Sequence, residues 1–323
     1  MTTDRSPLFF PAGAAAQADP RGELAQGLLQ PAAAVAPKYF YDRLGSALFA
    51  AITELPEYYP TRTEAAIFER HGGDIAQALH HRLGSGMTMV DLGAGDSAKA
   101  ARLFPALQLA RYVAVDISEA FLRQSLQALQ QRFPALEVVG VGLDFSERLA
   151  LPEGRVSGPA LVFYPGSSIG NFAPADALRL LREARELAAG GGLLIGVDLF
   201  KPVPVLEAAY ADALGVTAAF NLNLLRHVNR LLGSDFEVAD WRHVALFNAR
   251  ASRVEMHLQA RHDLTVSWPG GQRRFVAGER IHTENSYKWA AHEFEALLHD
   301  AGWRDLRCWT DPRDWFGVFL AFA

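Results

Sequence analysis

Cysteine occurs once in the 323 residues, at Cys308. A single cysteine excludes an intrachain disulfide framework and a zinc site built on cysteine pairs. Basic clusters are missing too: the net charge is −5 and no Lys/Arg block stands out. Nucleic-acid backbones require such clusters, so no nucleic-acid partner is expected. No apolar run approaches the roughly 20 residues of a membrane span, so no membrane partner is expected either. The first twenty residues have no signal-peptide core. With their Ala, Pro and Thr and the acids Asp4 and Asp19, they read as a disordered tail. A monomeric cytoplasmic protein is the expectation. His71, His80 and His81 lie in polar helical sequence and read as solvated, so no metal site is expected.

What is present is an alternation of strand and helix signals from about residue 87 to 200. "GMTMVDL", "RYVAVDI", "LEVVGVGLDF", "ALVFYPG" and "GGLLIGVDLF" are short apolar runs, and residues 118–133 between two of them have helical periodicity with Ser118 as N-cap. Near-continuous apolar strands separated by helices predict a parallel sheet covered on both faces. The pattern then changes. Residues 203–233 read as helical and 236–283 as long antiparallel strands; after Trp289 come a helix and two more strand candidates. The expected architecture is an α/β, doubly wound Rossmann-like sheet with an α+β insertion between its fifth and sixth strands. The helical stretch 21–60 is expected to pack with that insertion. Residues 1–62 and 200–288 would form the inserted domain, and 63–199 with 289–323 the sheet domain.

The stretch "MVDLGAGDSAK" (89–99) formally fits the dinucleotide pattern G-x-G-x-x-G/A. It lacks the G-K-[ST] ending of a Walker phosphate loop. A pyrophosphate at this turn would meet the carboxylates of Asp91 and Asp96, whereas a sulfonium and an ammonium would be attracted to them. The next strand ends in Asp116, placed to accept from both ribose hydroxyls. A third ends in Asp144, which could accept from an adenine amino group, with Phe145 against the ring face. The three sites together favour S-adenosylmethionine (SAM), with Gly93 letting the backbone approach it. The competing reading is a plain strand–helix turn with incidental acids.

Four longer stretches carry a resemblance. "YFYDRLGSALFAAITELPEYYPTRTEAAI" (39–67), "FYPGSSIGNF" (163–172), "AYADALGVTAAFN" (209–221) and "IHTENSYKW" (281–289) resemble the histidine-specific N-alpha-methyltransferases of ergothioneine biosynthesis. The resemblance covers nearly the whole chain beyond residue 20. It implies a class I methyltransferase fold with an inserted substrate-binding domain. It also implies three successive methyl transfers from SAM to the α-nitrogen of L-histidine, giving hercynine. Carried over by position, it assigns Gly93, Lys99, Asp116, Asp144 and Phe145 to the cofactor and Tyr41 to the cofactor's methionine end. It assigns Tyr58, Asn171, Tyr210, Glu284 and Ser286 to the histidine pocket, with Met256 as an apolar wall. Asn285 either reaches the imidazole or faces away. Asp96 and Ser168 stand where threonine occurs in the family pattern.

The chemistry of those side chains agrees. Methyl transfer is an in-line displacement, so the enzyme holds nitrogen, carbon and sulfur in line and lets the ammonium lose its proton. Asn171 and Tyr210 can donate to a substrate carboxylate, and the amide of Asn171 can also orient the amine. Tyr41 is a weaker candidate than bulk water for receiving the proton. Glu284 and Ser286, two apart on an extended segment, point to one side and can pair with the two nitrogens of an imidazole. The alternatives are a same-fold methyltransferase acting on another amino acid or small amine, a nicotinamide-dependent oxidoreductase, and a binding protein that has lost turnover.

Overall fold

The computed structural model describes residues 5–11, 19–152, 154–156 and 158–323. The chain divides into two compact units. The first holds Pro60–Phe200 and Trp289–Ala323, joined by the N-terminal strand β1 (Leu8–Phe10). The second holds residues 19–59 and Lys201–Lys288.

The first unit is built on an eight-stranded sheet. Its strands are β1, β2 (Thr88–Leu92), β3 (Arg111–Asp116), β4 (Glu137–Gly142), β5 (Ala160–Tyr164), β6 (Gly192–Asp198), β12 (Arg304–Thr310) and β13 (Phe316–Phe322), in the order β1-β4-β3-β2-β5-β6-β13-β12. Every pairing from β1 to β6 is parallel, while β13 runs antiparallel to β6 and β12. The helices α3 (Tyr59–Leu83), α4 (Ala98–Leu107), α5 (Glu119–Arg132), α6 (Pro174–Ala188) and α9 (Ala291–Asp300) supply the cover. One apolar layer gathers Leu79, Phe104, Leu122 and Leu126 with sheet residues such as Tyr112 and Leu194. The other gathers Leu180, Phe294 and Trp303 with Val90, Val113 and Ile195. Alternate residues of each central strand thus feed opposite layers, which is why these strands read as unbroken apolar runs. Each fully buried Leu or Phe contributes about 1.5–3 kcal/mol. The strand order reverses between β2 and β5. At that switch point the carboxyl ends of β2, β3, β4 and β5 carry the loops that open α/β sheets use for ligands.

The second unit combines α1 (Pro20–Leu29), α2 (Arg43–Thr53), α7 (Val203–Tyr210) and α8 (Val216–Leu232) with strands β7 (Trp241–Asn248), β8 (Arg253–Ala260), β9 (Leu264–Trp268), β10 (Gly271–Phe275) and β11 (Arg280–Tyr287). The last of these completes an antiparallel sheet in the order β11-β8-β7, and β9 and β10 form a separate hairpin. Asp42 ties the N-terminal segment to the insertion. Its carboxylate caps α2 through Gly45 N–H at 2.8 Å and accepts from Asn223 at 2.9 Å and Arg230 at 3.0 Å. Phe40 stacks on Phe220, with centroids 4.5 Å apart.

Two expectations need correction. The opening residues do not form a uniformly featureless tail: Leu8–Phe10 is an edge strand paired with Val139–Val141, and it belongs to the sheet unit, not to the inserted one. The reason is local. Gly140 leaves room for Phe9, whose ring a Cβ there would meet at 2.6 Å, and the guanidiniums of Arg123 and Arg155 lie over Phe9 and Phe10. The rest of that tail, residues 1–4 and 12–18, lies outside the described residues. Ser118 does precede α5, but it makes no side-chain cap; Asp116 accepts the Ser118 N–H instead, at 2.8 Å. Phe9→Ala should cost about 1–2 kcal/mol, less than a full core aromatic because Phe9 is only partly buried. A thermal melt measures this, and an unchanged melting temperature would remove the edge strand from the fold.

Candidate active site

In the sheet unit the site begins with the glycine turn after β2. Gly93 has φ +70° and Gly95 φ +54°, the left-handed region that side chains resist. The Gly93 N–H bonds to the Val115 carbonyl at 2.8 Å, and Gly95 N–H donates to Asp116 Oδ2 at 2.9 Å. Asp116 therefore does structural work with one lone pair on each oxygen, while the others stay available to a ligand. Asp144 likewise accepts from Ser146 N–H at 2.9 Å and from its hydroxyl. Phe145 meets the Tyr164 ring edge-on, with centroids 5.9 Å apart. The turn Ser168–Asn171 follows β5. Ser167 enters it at φ +61° and is held there by accepting the Asp198 N–H at 2.8 Å. The amide of Asn171 has no hydrogen-bond partner among the described residues.

Asp91 sits just before the glycine turn and is buried. Tyr112 donates to its Oδ2 at 2.6 Å, while Oδ1 is buried with no partner among the described residues. Burial raises the Asp91 carboxyl to about 7, and the Tyr112 hydrogen bond offsets only part of that. An orphaned buried acceptor of this kind fits an ammonium or another donor from a ligand. Lys99 does not supply a free cation to the loop. Its ammonium is 2.7 Å from Glu64 Oε2, and Glu64 Oε1 accepts from Gly166 N–H at 2.7 Å. With that charge matched, the loop suits a sulfonium and ammonium better than a diphosphate.

In the second unit, Glu284, Ser286 and Met256 come together. The register of β11 against β8 slips between His282 and Glu284, leaving Thr283 unpaired and setting Glu284 opposite Met256 and Ser286 opposite Val254. This bulge fixes which residues share a side. Tyr210, the last residue of α7, donates to Ser286 Oγ at 2.7 Å. Tyr58 meets Tyr210 edge-on at 6.3 Å and Phe49 at 6.2 Å. Tyr41 packs on Phe49 at 5.8 Å and on Phe220 at 6.0 Å. Asn285 faces the other side: its side-chain oxygen is 2.8 Å from His282 Nε2, and its cross-strand neighbour Glu255 belongs to a cluster with Arg253 and His257. Of the two readings open for Asn285, the structure favours the one away from Glu284 and Ser286.

Sequence reasoning passed over two residues. Lys288 is buried, and its Nζ lies 2.7 Å from Ser286 Oγ and 3.3 Å from the Tyr210 hydroxyl. Its alternation with Glu284 and Ser286 was the available signal. Glu64 lies within the quoted stretch 39–67, where nothing in its local sequence sets it apart. The Glu284 side chain has no hydrogen-bond partner among the described residues; burial raises its carboxyl to about 7, and the Lys288 charge pulls it back in part.

Residues 20–323 match the family model described as "Histidine-specific methyltransferase, SAM-dependent". The chain belongs to that family. It is 40% identical over 310 residues to the histidine N-alpha-methyltransferase of Mycolicibacterium smegmatis, covering 93% of this chain and 94% of that one. It is 38% identical over 316 residues to the enzyme of the same name from Mycobacterium tuberculosis, covering 93% and 94%. The ergothioneine biosynthesis protein 1 of Neurospora crassa is 30% identical over 290 residues, 87% of this chain and 32% of that longer protein. Members of this family use SAM, and the loop fits it. Glycines give the backbone its close approach, carboxylates end β3 and follow β4, Phe145 offers an aromatic ring, and Asp91 Oδ1 lacks a donor among the described residues.

The raised carboxyl of Asp91 makes a stability prediction. Its folded pKa of about 7 lies above the ordinary 3.8, so between those values the folded chain holds the proton more tightly than the unfolded chain. Stability from this group is therefore present at low pH and is lost as pH rises through that window. Asp91→Asn should gain on the native protein by up to about 1 kcal/mol per pH unit between pH 5 and 7. Chemical denaturation at several pH values tests this; a gap that stays constant with pH would contradict the buried carboxyl.

Proposed function

We propose that this chain transfers three methyl groups, one after another, from SAM to the α-nitrogen of L-histidine, giving the betaine used in ergothioneine biosynthesis. The observation that carries the proposal is the pairing of Glu284 and Ser286 on one side of β11. It provides an anionic acceptor and a hydroxyl, spaced along a strand, on an enzyme of the histidine-specific family.

The roles divide between the units. In the sheet unit, Gly93, Asp116, Asp144 and Phe145 hold SAM, with Asp116 toward the ribose and Asp144 with Phe145 toward the adenine. Lys99 acts through Glu64, shaping the loop. When bound, SAM supplies a sulfonium methyl that leaves with the sulfur's electron pair remaining on sulfur. Asn171 offers a free amide that can donate to the substrate carboxylate and accept from the amine, which orients the nitrogen lone pair. In the second unit, Glu284 accepts a ring N–H, Ser286 meets the other ring nitrogen, and Met256 and Tyr58 form apolar and aromatic walls. The resemblance assigns Tyr41 to the methionine end of SAM. Tyr210 spends its proton on Ser286 and supports the ring side of the pocket, so carboxylate binding falls to Asn171. Each methylation needs the amine free of its proton, and bulk water can take it.

A pocket of unpaired polar groups discriminates by what it leaves unsatisfied. An aliphatic or phenyl side chain would bury Glu284 and Ser286 without partners, a loss that in favourable sites reaches roughly ten-thousand-fold. Glu284→Ala should weaken histidine binding by about 10- to 100-fold, the value of a hydrogen bond to a charged group, and let other aromatic amino acids compete. The pH dependence follows from the raised Glu284 carboxyl: below about 7 the free carboxyl holds a proton and loses its accepting role. Histidine affinity, measured calorimetrically with S-adenosylhomocysteine present, should fall more steeply as pH drops below 7 in the native enzyme than in Glu284→Gln, which keeps only the limb from protonation of the substrate's own ring at about 6.5. Identical profiles for the two would reject Glu284 as the ring's partner.

A further inference from the structure

The proton inventory around Ser286 is closed on one side. Lys288 is an ammonium, with three donors and no acceptor. It lies 2.7 Å from Ser286 Oγ and 3.3 Å from the Tyr210 oxygen, so it donates to both. Tyr210 donates its own proton to Ser286 Oγ, at 2.7 Å. Ser286 Oγ has two lone pairs, and both are occupied. Its hydroxyl proton has nowhere to go within this group and must be donated to something else. All three residues are buried, so water does not readily scramble the pattern. Two positions before Ser286, on the same side of the strand, Glu284 can only accept when ionised.

We propose that Lys288 is a positioning residue that fixes Ser286 as a hydrogen-bond donor, so that the pocket takes a neutral diazole ring in a single tautomer, with its N–H on Glu284 and its bare nitrogen on Ser286. This rests on the functional reading above and deepens it: recognition becomes a demand for one donor and one acceptor in fixed places on the ring. A protonated ring, with two N–H groups, meets a donor where it needs an acceptor. A pyrrole ring, with an N–H and no bare nitrogen, leaves the Ser286 proton buried and unused. Removing the Lys288 ammonium frees a lone pair on Ser286, and the hydroxyl can then turn its proton toward Tyr210 and lose its fixed polarity.

The direct test needs no variant. Histidine labelled with 15N at both ring positions is bound to the native enzyme with S-adenosylhomocysteine at pH 7. The expected spectrum has one protonated and one bare, hydrogen-bonded ring nitrogen. Two protonated nitrogens, or two averaged ones, overturn the proposal. A double-mutant cycle supplies the second readout. Affinities for histidine and for the two pyrrolylalanines are compared in native, Ser286→Ala, Lys288→Met and doubly substituted enzymes, with S-adenosylhomocysteine affinity as the folding control. Lys288→Met should cut the preference for histidine over the pyrroles about tenfold, and should cut it no further once Ser286 is alanine. An unchanged preference, or an equal loss in the Ser286→Ala background, overturns the role given to Lys288. Failure of the functional reading has a different signature: the native enzyme then binds no histidine in any experiment, and both conclusions fall together.

Discussion

On the proposed function, selectivity in the second unit rests on a pairing of opposites along one strand. Glu284 can only accept, and Ser286 has its accepting lone pairs filled by Lys288 and Tyr210. Among the described residues, neither group is satisfied on the side it offers. A desolvated carboxylate without donors among the described residues is costly, and the rise of its pKa to about 7 reflects that desolvation. The fold tolerates it because the bulge at Thr283 and the antiparallel register with β8 leave the strand no alternative phase. A ligand ring with complementary polarity relieves both groups at once.

The sheet unit follows the same logic with different residues. Asp91 is kept buried with one oxygen unpartnered among the described residues, and Asp116 spends part of its capacity holding the Gly95 N–H. Glu64 reaches from α3 to neutralise Lys99 and to accept the Gly166 N–H, which links the glycine turn to the loop carrying Asn171. Left-handed backbone gathers at these loops: Gly93 and Gly95 adopt it freely, and Ser167 is held in it beside the rigid sheet. What results is a set of acceptors arranged for a cationic, hydroxyl-rich ligand, in a family that uses SAM.

Much of this was legible in the sequence, for definable reasons. The apolar runs at residues 86–92, 111–117 and 192–200 announced strands buried on both faces because every alternate side chain feeds a core layer. The end of the alternation after Phe200 marked where the second unit begins. Glu284 and Ser286 were assigned by the family resemblance, and their two-residue spacing agrees with a shared side of one strand. Lys288 shares that period, yet a lysine is by default a solvated residue, and only its burial against Ser286 and Tyr210 reveals its use. Glu64 could not be read at all: its partners, Lys99 and Gly166, stand 35 and 102 residues away. Leu8–Phe10 misled because a three-residue strand has no periodicity to detect, and its neighbour β4 supplies the pairing. Asn285 sits between two site residues in the sequence and on the opposite face in space, as alternation requires.

The central claim is that the methyl groups go to the α-nitrogen of histidine and nowhere else on it. The measurement is mass spectrometry of the product formed from SAM and L-histidine carrying 15N only at the α-position. The account predicts a product heavier by three methyl groups that releases 15N-labelled trimethylamine on fragmentation. Unchanged histidine, or methyl groups retained on the imidazole fragment, would contradict it.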